Sequence, residues 1–157
     1  AVHAEHPDIL AMCHAHTVHG VAYASLGRSL PPISQDACAF FEDHAVILEE
    51  AGQVAVETNA GINVAKSFKG ITAAIHQNHG LLVASRHSID AAAWRFMALE
   101  RCCEQQLALD ASGHTPIEIR PERARYSREH VGSEYIGWLA FQAVYEDIVQ
   151  KNPGMFD

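Results

Sequence analysis

The 157-residue chain contains no apolar run long enough to cross a bilayer and no recognisable secretory signal, so no membrane span is expected. Basic residues are few: 11 lysines and arginines stand against 19 aspartates and glutamates, a formal charge of −8. Phosphate backbones are held by dense basic faces, so this balance excludes a general nucleic-acid surface. The one basic concentration is Arg120, Arg123, Arg125 and Arg128. Four cysteines, Cys13, Cys38, Cys102 and Cys103, make no disulfide-scaffold spacing, and the adjacent pair is expected on different sides of a helix. Reduced thiols and a cytoplasmic location are the simplest expectation. There is no disordered tract, internal repeat or dividing linker. A composition of 48% hydrophobic and 19% charged residues is that of one globular domain with a real core. An initiator methionine and an N-terminal helix cap are also missing. Ala1-Val2-His3-Ala4-Glu5-His6-Pro7 reads as the end of a helix, which predicts a chain belonging to a longer protein.

What the chain has in plenty is histidine, eleven in all. The number proves nothing, because most must be ordinary surface or core residues; spacing singles out a few. Asp8 to His16 reads as a buried strand after Pro7, followed by a short helix from an N-cap at Thr17 to Gly27. Ser34 caps another short helix, and His44 to Leu48 is a strand. Glu49 to Gln53 is a polar loop, and Val56 to Lys69 a helix weakened by Gly61 and β-branched residues. Ile71–Gln77 and Leu81–Ser85 flank the Asn78-His79-Gly80 turn as a hairpin. Ser88 to Ala111 is a long helix with Ala92, Phe96, Leu99, Cys103 and Leu107 on one stripe. A helical region from Pro121 to Lys151, broken near Gly132 or Gly137, carries an apolar face of Trp138, Phe141, Val144, Tyr145 and Ile148.

Residues two apart on a strand point to one face, so His14 and His16 aim their rings at one point, about 6–7 Å apart along the pleat. Cys13 and Ala15 face the other way, which makes Cys13 a core residue rather than a ligand. His79 lies in a tight turn beside Gly80, where close backbone approach or positive φ is allowed. Three neutral imidazoles would leave a divalent metal with an open position, an arrangement suited to Lewis-acid catalysis more than to a closed structural site. A His-x-His pair also occurs as unremarkable histidines, and spacing leaves both readings open.

His14-Ala15-His16-Thr17, Pro32 to Cys38, and Asn78-His79-Gly80-Leu81-Leu82, in this order along the chain, resemble the class II aldolase/adducin family. The Gly137-Trp138-Leu139-Ala140-Phe141-Gln142 stretch followed by Tyr145 is similar to a largely uncharacterised microbial branch of it. The resemblance implies an α/β fold, a three-layer α/β/α sandwich around a central, mostly antiparallel sheet. It also implies that His14, His16 and His79 are the metal ligands, with zinc as the expected ion. Aldolase members use zinc to polarise a ketose-type substrate, stabilise an enediolate and break or make a carbon–carbon bond. They are commonly homotetramers with sites between subunits, so the C-terminal helix is expected to be partly interface. Their acid–base carboxylate and phosphate-binding loop come from segments that would precede Ala1; Glu5 is in the wrong place to inherit that role.

The reading is therefore a metal-dependent lyase of aldolase type acting on a small molecule. The same ligands suit iron(II) for dioxygen chemistry or manganese for decarboxylation, and an adducin-like interaction domain is a third reading. His19, expected in the first helical turn after the pair, is a candidate proton donor or fourth ligand, or a polar helix-start residue. His76 shares strand parity with Asn78 and is expected to point away from the ion. Tyr126 and Tyr135 are candidate acids or packing residues. The Arg120–Arg128 group either binds an anionic substrate or pairs with Glu118, Glu122 and Glu129.

Overall fold

The apolar segments on either side of the His79 turn pair with each other and become the centre of the molecule. In the computed structural model, which describes residues 1–49 and 58–157, β3 (Ala73–His76) and β4 (Gly80–Ser85) form the expected antiparallel hairpin, with Ile75 opposite Leu81. β1 (Ala11–Ala15) pairs antiparallel with β4, and β2 (His44–Ile47) pairs with β3 in parallel, giving the order β1-β4-β3-β2. The sheet is mixed: two of its three pairings are antiparallel, and β2 makes a parallel edge. β3 is buried at every residue, as a strand covered on both faces must be.

Side chains alternate between the two faces. Cys13, Ala15, Ala73, Ile75, Leu81 and Val83 lie in one core with Tyr23, Phe40, Phe96 and Leu99, beneath α2 (Val18–Ala24) and α5 (Ile89–Ala111). Met12, Ala74, Leu82 and Ala84 lie in the other with Ile9, Ile47 and Phe68, on the side of α1 (Val2–Glu5) and α4 (Thr58–Lys66), which add Val2 and Val64. α7 (Glu134–Lys151) packs along α5, and α6 (Pro121–Val131) packs against α3 (Gln35–Cys38). Helices on both faces complete the three-layer sandwich. Among the described residues, no helix is long and apolar enough to cross a membrane.

Local chemistry explains the boundaries. Ser88 and Ser34, both extended, accept the Ala91 and Ala37 N–H groups at 3.1 Å and start α5 and α3. Ser133 caps α7, so the C-terminal helical region breaks at Gly132-Ser133. On α5 the expected stripe is buried at Ala92, Phe96, Leu99 and Cys103, with Leu107 half-buried; each large member contributes about 1.5–3 kcal/mol. Cys102 and Cys103 do not diverge as expected. Neighbours on a helix differ by only about 100°, and α5 is covered over a wide arc, so both thiols enter the same core. Burial pushes the Cys102 thiol up to about 12 and raises Cys103 as well, leaving both as packing groups. On α7, Trp138, Phe141 and Val144 are half-buried, while Tyr145 and Ile148 are exposed. The expected polar loop beyond Glu49 and the expected helix start at Val56 lie outside the described residues.

At the end of the sheet where β2 and β3 begin, Arg95 of α5 is 1% exposed. Its Nη2 donates to Asp43 Oδ2 at 2.8 Å and to Thr72 Oγ1 at 2.5 Å, its Nη1 donates to the Gly132 carbonyl, and the guanidinium lies over the Phe40 ring. Next to Asp43, His44 accepts the Leu30 N–H at Nε2 (3.0 Å) and donates from Nδ1 to the Phe40 carbonyl (2.7 Å). That pattern fixes a neutral ring, and burial holds its pKa below the usual 6.5.

Candidate metal centre

The other end of the sheet gathers imidazoles. His14, opposite Leu82 in the ladder, lies 2.8 Å through Nδ1 from the Leu81 carbonyl. A carbonyl can only accept, so Nδ1 carries a proton, and in the neutral ring Nε2 is the nitrogen with the lone pair. His16 follows the last residue of β1 and projects from the corner into α2. His79 comes from the hairpin turn, where its N–H donates to the His76 carbonyl at 3.1 Å and Asn78 takes φ +55°, a left-handed conformation that asparagine tolerates. The three rings stand 5.1, 5.1 and 4.8 Å apart by centroid, and one nitrogen from each lies within 4.8 Å of the others. His14 and His16 are exposed and His79 is half-buried.

Gly80 makes this crowding possible. It adopts φ +155°, and a Cβ there would stand 2.9 Å from the Ala15 carbonyl oxygen and 3.5 Å from the His16 ring, so only glycine fits without moving backbone. His79 has its pKa lowered, first by burial and then by the neighbouring His76, His14 and His16 rings. A neutral imidazole is the form that can bind a metal. Cys13 faces the opposite core, as expected.

His76 corrects the expectation drawn from parity. Its ring stacks on His79 at 4.8 Å with planes 19° apart, and its Nε2 lies 3.3 Å from the Glu49 carbonyl. Parity holds along a strand; a turn folds the chain back and sets its first and fourth residues side by side. An apolar-walled cavity of about 530 Å³ opens beside these rings, lined by His14, His76, His79, Met12, Val64 and Leu82 among others.

His19 lies in the first turn of α2, half-exposed, with Nδ1 3.1 Å from Glu100 Oε1 and Nε2 4.0 Å from Glu104. It is not a member of the three-nitrogen group. Thr17 stands at the N-cap position of α2 but donates its hydroxyl to Glu100 instead of capping its own helix. Sequence reasoning missed Glu100; its one signal was a carboxylate beside Leu99 on the apolar side of a striped helix. Among the described residues, Arg125 and Arg128 do not form ion pairs with the expected Glu118, Glu122 or Glu129. Arg125 forms a two-pronged bond with Glu42 at 2.7 and 2.8 Å, and Arg128 donates to the Phe41 carbonyl. Tyr126 stacks on His130, and Tyr135 stands near His87 and Trp138.

Residues 1–107 match the family described as the class II aldolase and adducin N-terminal domain. Decarboxylase NovR of Streptomyces niveus is 40% identical over 154 residues, 98% of this chain and 56% of that protein. The 4-hydroxy-3-prenylphenylpyruvate oxygenase/4-hydroxy-3-prenylbenzoate synthase of Streptomyces roseochromogenus subsp. oscitans is also 40% identical, over 98% of this chain and 54% of its own length. Among solved structures, L-fuculose 1-phosphate aldolase from Glaciozyma antarctica PI12 superposes with a TM-score of 0.84 at 31% identity, covering 97% of this chain and 56% of that one. The chain spans about half the length of the curated relatives it matches.

Proposed function

The chain belongs to the class II aldolase and adducin family, and from that membership we propose that it is a divalent-metal-dependent enzyme of lyase type. It would break a carbon–carbon bond in a small hydroxy-carbonyl substrate. The observation that carries this reading is the open group of His14, His16 and His79. Around a tetrahedral ion with ligands at 2.0–2.1 Å, nitrogens stand about 3.4 Å apart. The three nitrogens, already within 4.8 Å of one another, are near that spacing. The all-imidazole donor set, with Nε2 of His14 free and His79 held toward its neutral form, fits zinc first.

A divalent ion held by His14, His16 and His79 would supply Lewis acidity to substrate oxygens and would offset the negative charge that develops on bond cleavage. The remaining work belongs to the side chains. His14 is held in register by the Leu81 carbonyl. Met12, Val64 and Leu82 wall the adjoining cavity and shield an apolar flank of the substrate from water. His19, tied through Nδ1 to Glu100, keeps Nε2 as the atom that would take or deliver a proton. The exposed Leu139, Tyr145 and Ile148 on α7 support a homotetramer in which this helix is partly interface, and four free cysteines support a cytoplasmic location.

A second reading has its own support. The two relatives 40% identical to the chain are named a decarboxylase and an oxygenase/synthase, which favours iron(II) with dioxygen, or manganese, on the same three histidines. Metal analysis of anaerobically purified protein, with parallel assays for retro-aldol cleavage and oxygen uptake, separates the two. A protein that carries no metal and binds neither added zinc nor manganese overturns both. The adducin-like reading is tested by His16→Ala, which leaves function intact if the domain is only a scaffold.

A further inference from the structure

Four hydrogen bonds converge on the carboxylate of Glu100 from three residues that directly follow the ligand pair. Thr17 Oγ1 donates to Oε2 at 2.5 Å and the Gly20 N–H donates to the same oxygen at 2.6 Å. The His19 N–H and the His19 ring nitrogen Nδ1 reach Oε1 at 3.0 and 3.1 Å. The N–H groups of His19 and Gly20 lie in the first turn of α2 and have no partner within the helix. The Thr17 hydroxyl, which would ordinarily take one of them, has been turned into a donor. A residue 80 positions away in sequence thus does the capping that the local sequence does not.

The same corner is pressed onto the other two ligands. A Cβ on Gly20 would come within 2.6 Å of Thr17 Oγ1 and 2.7 Å of the Leu81 side chain, so α2 lies hard against Leu81. The Leu81 carbonyl orients His14, and Leu81 follows Gly80 and His79 in the chain. His16 is the residue immediately before Thr17 and, unlike His14, has no hydrogen bond to its ring among the described residues. Its direction is set by its backbone and by edge contacts with the His14 and His79 rings.

We propose that Glu100 is the positioning residue of the imidazole cluster, fixing the Thr17–Gly20 corner from which His16 projects and against which the Leu81–His14 pair is seated. It touches neither metal nor substrate and acts through the backbone of α2. The inference rests on the metal reading only for its binding readout.

The test compares Glu100→Ala and Glu100→Gln with Glu134→Ala. Glu134 is the fair control, because its carboxylate also gathers a turn, accepting from Ser85 Oγ and the Arg86 and His87 N–H groups, on the strand end away from the histidines. Zinc and cobalt titrations of the folded proteins should show affinity falling roughly 10- to 100-fold in Glu100→Ala, the range typical of lost outer-shell support. The cobalt ligand-field spectrum should change with it. Glu100→Gln keeps one accepting oxygen and should fall between, and it serves if Glu100→Ala does not fold. Glu134→Ala should lose thermal stability with affinity unchanged. In metal-free protein, the His16 ring signals in a histidine-selective NMR spectrum should shift or broaden in the Glu100 variants and stay in place in Glu134→Ala. Unchanged cobalt affinity and unchanged His16 signals in both Glu100 variants overturn the proposal. A wild-type chain that binds no metal overturns the metal reading instead, and the NMR comparison still decides the role of Glu100.

Discussion

The two ends of the sheet solve opposite problems with polar side chains. Where β2 and β3 begin, Arg95 is enclosed and spends its Nη groups on Asp43, Thr72 and the Gly132 carbonyl. Where β3 turns into β4, His14, His16 and His79 converge with no carboxylate among them, and two of the three are exposed. At the first end both Nη groups find partners inside the protein, although the buried Nε of Arg95 has none among the described residues, and those bonds tie α5 to the sheet and to the joint before α7. The second is left with donor nitrogens that nothing inside the group neutralises or caps. Closed polar groups serve the fold, while convergent open ones await something from outside.

The comparison breaks most visibly if the closed end is opened. Asp43→Ala leaves the Arg95 charge buried without its carboxylate, and the expected loss is about 3–5 kcal/mol, a large part of a domain's net stability. Urea unfolding should show this as a lower midpoint, with zinc affinity of the folded fraction nearly unchanged. A loss of stability below about 1 kcal/mol would mean that Thr72 and the Gly132 carbonyl satisfy the Arg95 Nη groups without help.

His16→Ala should do the reverse. The ring is exposed, so its removal should alter stability by no more than about 0.5 kcal/mol. Metal affinity should fall at least ~100-fold, or about 2.7 kcal/mol, because a direct ligand is worth no less than the outer-shell groups that orient one. Calorimetric titration with zinc checks the second number and thermal melting of the metal-free protein the first. Equal losses in both would place His16 in the closed class.

Gly80→Ala sits between the two, since it strains the backbone and crowds the ligands together. A Cβ 2.9 Å from the Ala15 carbonyl at φ +155° should cost about 1–3 kcal/mol in folding. The same push should weaken metal binding, so both readouts should move. A variant that loses stability with its metal affinity intact would show that the hairpin can shift without carrying His79 along.

These differences also decide what could be read from the sequence. His14, His16 and Gly80 were legible because strand parity and turn chemistry are local rules, and the α5 stripe was legible because its period runs from Ala92 to Leu107, about four turns. His76 was misplaced because parity does not survive a turn. Arg95 lies three residues after Ala92 and four before Leu99, inside the apolar stripe. That position marks it as buried, but nothing local says that Asp43 and Thr72 will meet it. Thr17 was placed correctly at the start of α2, yet its hydroxyl answers to Glu100, and Arg125 answers to Glu42 rather than to neighbouring glutamates. Arg95–Asp43, Thr17–Glu100 and Arg125–Glu42 are partnerships across 52 to 83 residues, which only the packed layers bring together.

The smallest effect separates the two ends by pH. Burial lowers the pKa of both His44, at the closed end, and His79, at the open one, from the usual 6.5. For His44 the folded value lies below the unfolded one, so beneath pH 6.5 the unfolded chain binds more protons than the folded chain. Stability is therefore full above pH 6.5 and declines as pH falls from there to the folded value, levelling off below it. Protonating His44 would also turn Nε2 into a donor facing the Leu30 N–H, which is why the fold resists it. His79 adds a decline of the same sign to stability, but its distinctive consequence is for binding. Protons should compete with metal at its ring only at a lower pH than for a free imidazole. Denaturant midpoints measured against pH should flatten below 6.5 in His44→Asn and keep most of their slope in His79→Ala. If His79→Ala flattens the profile and His44→Asn does not, the open end is carrying fold stability and the division between the two ends fails.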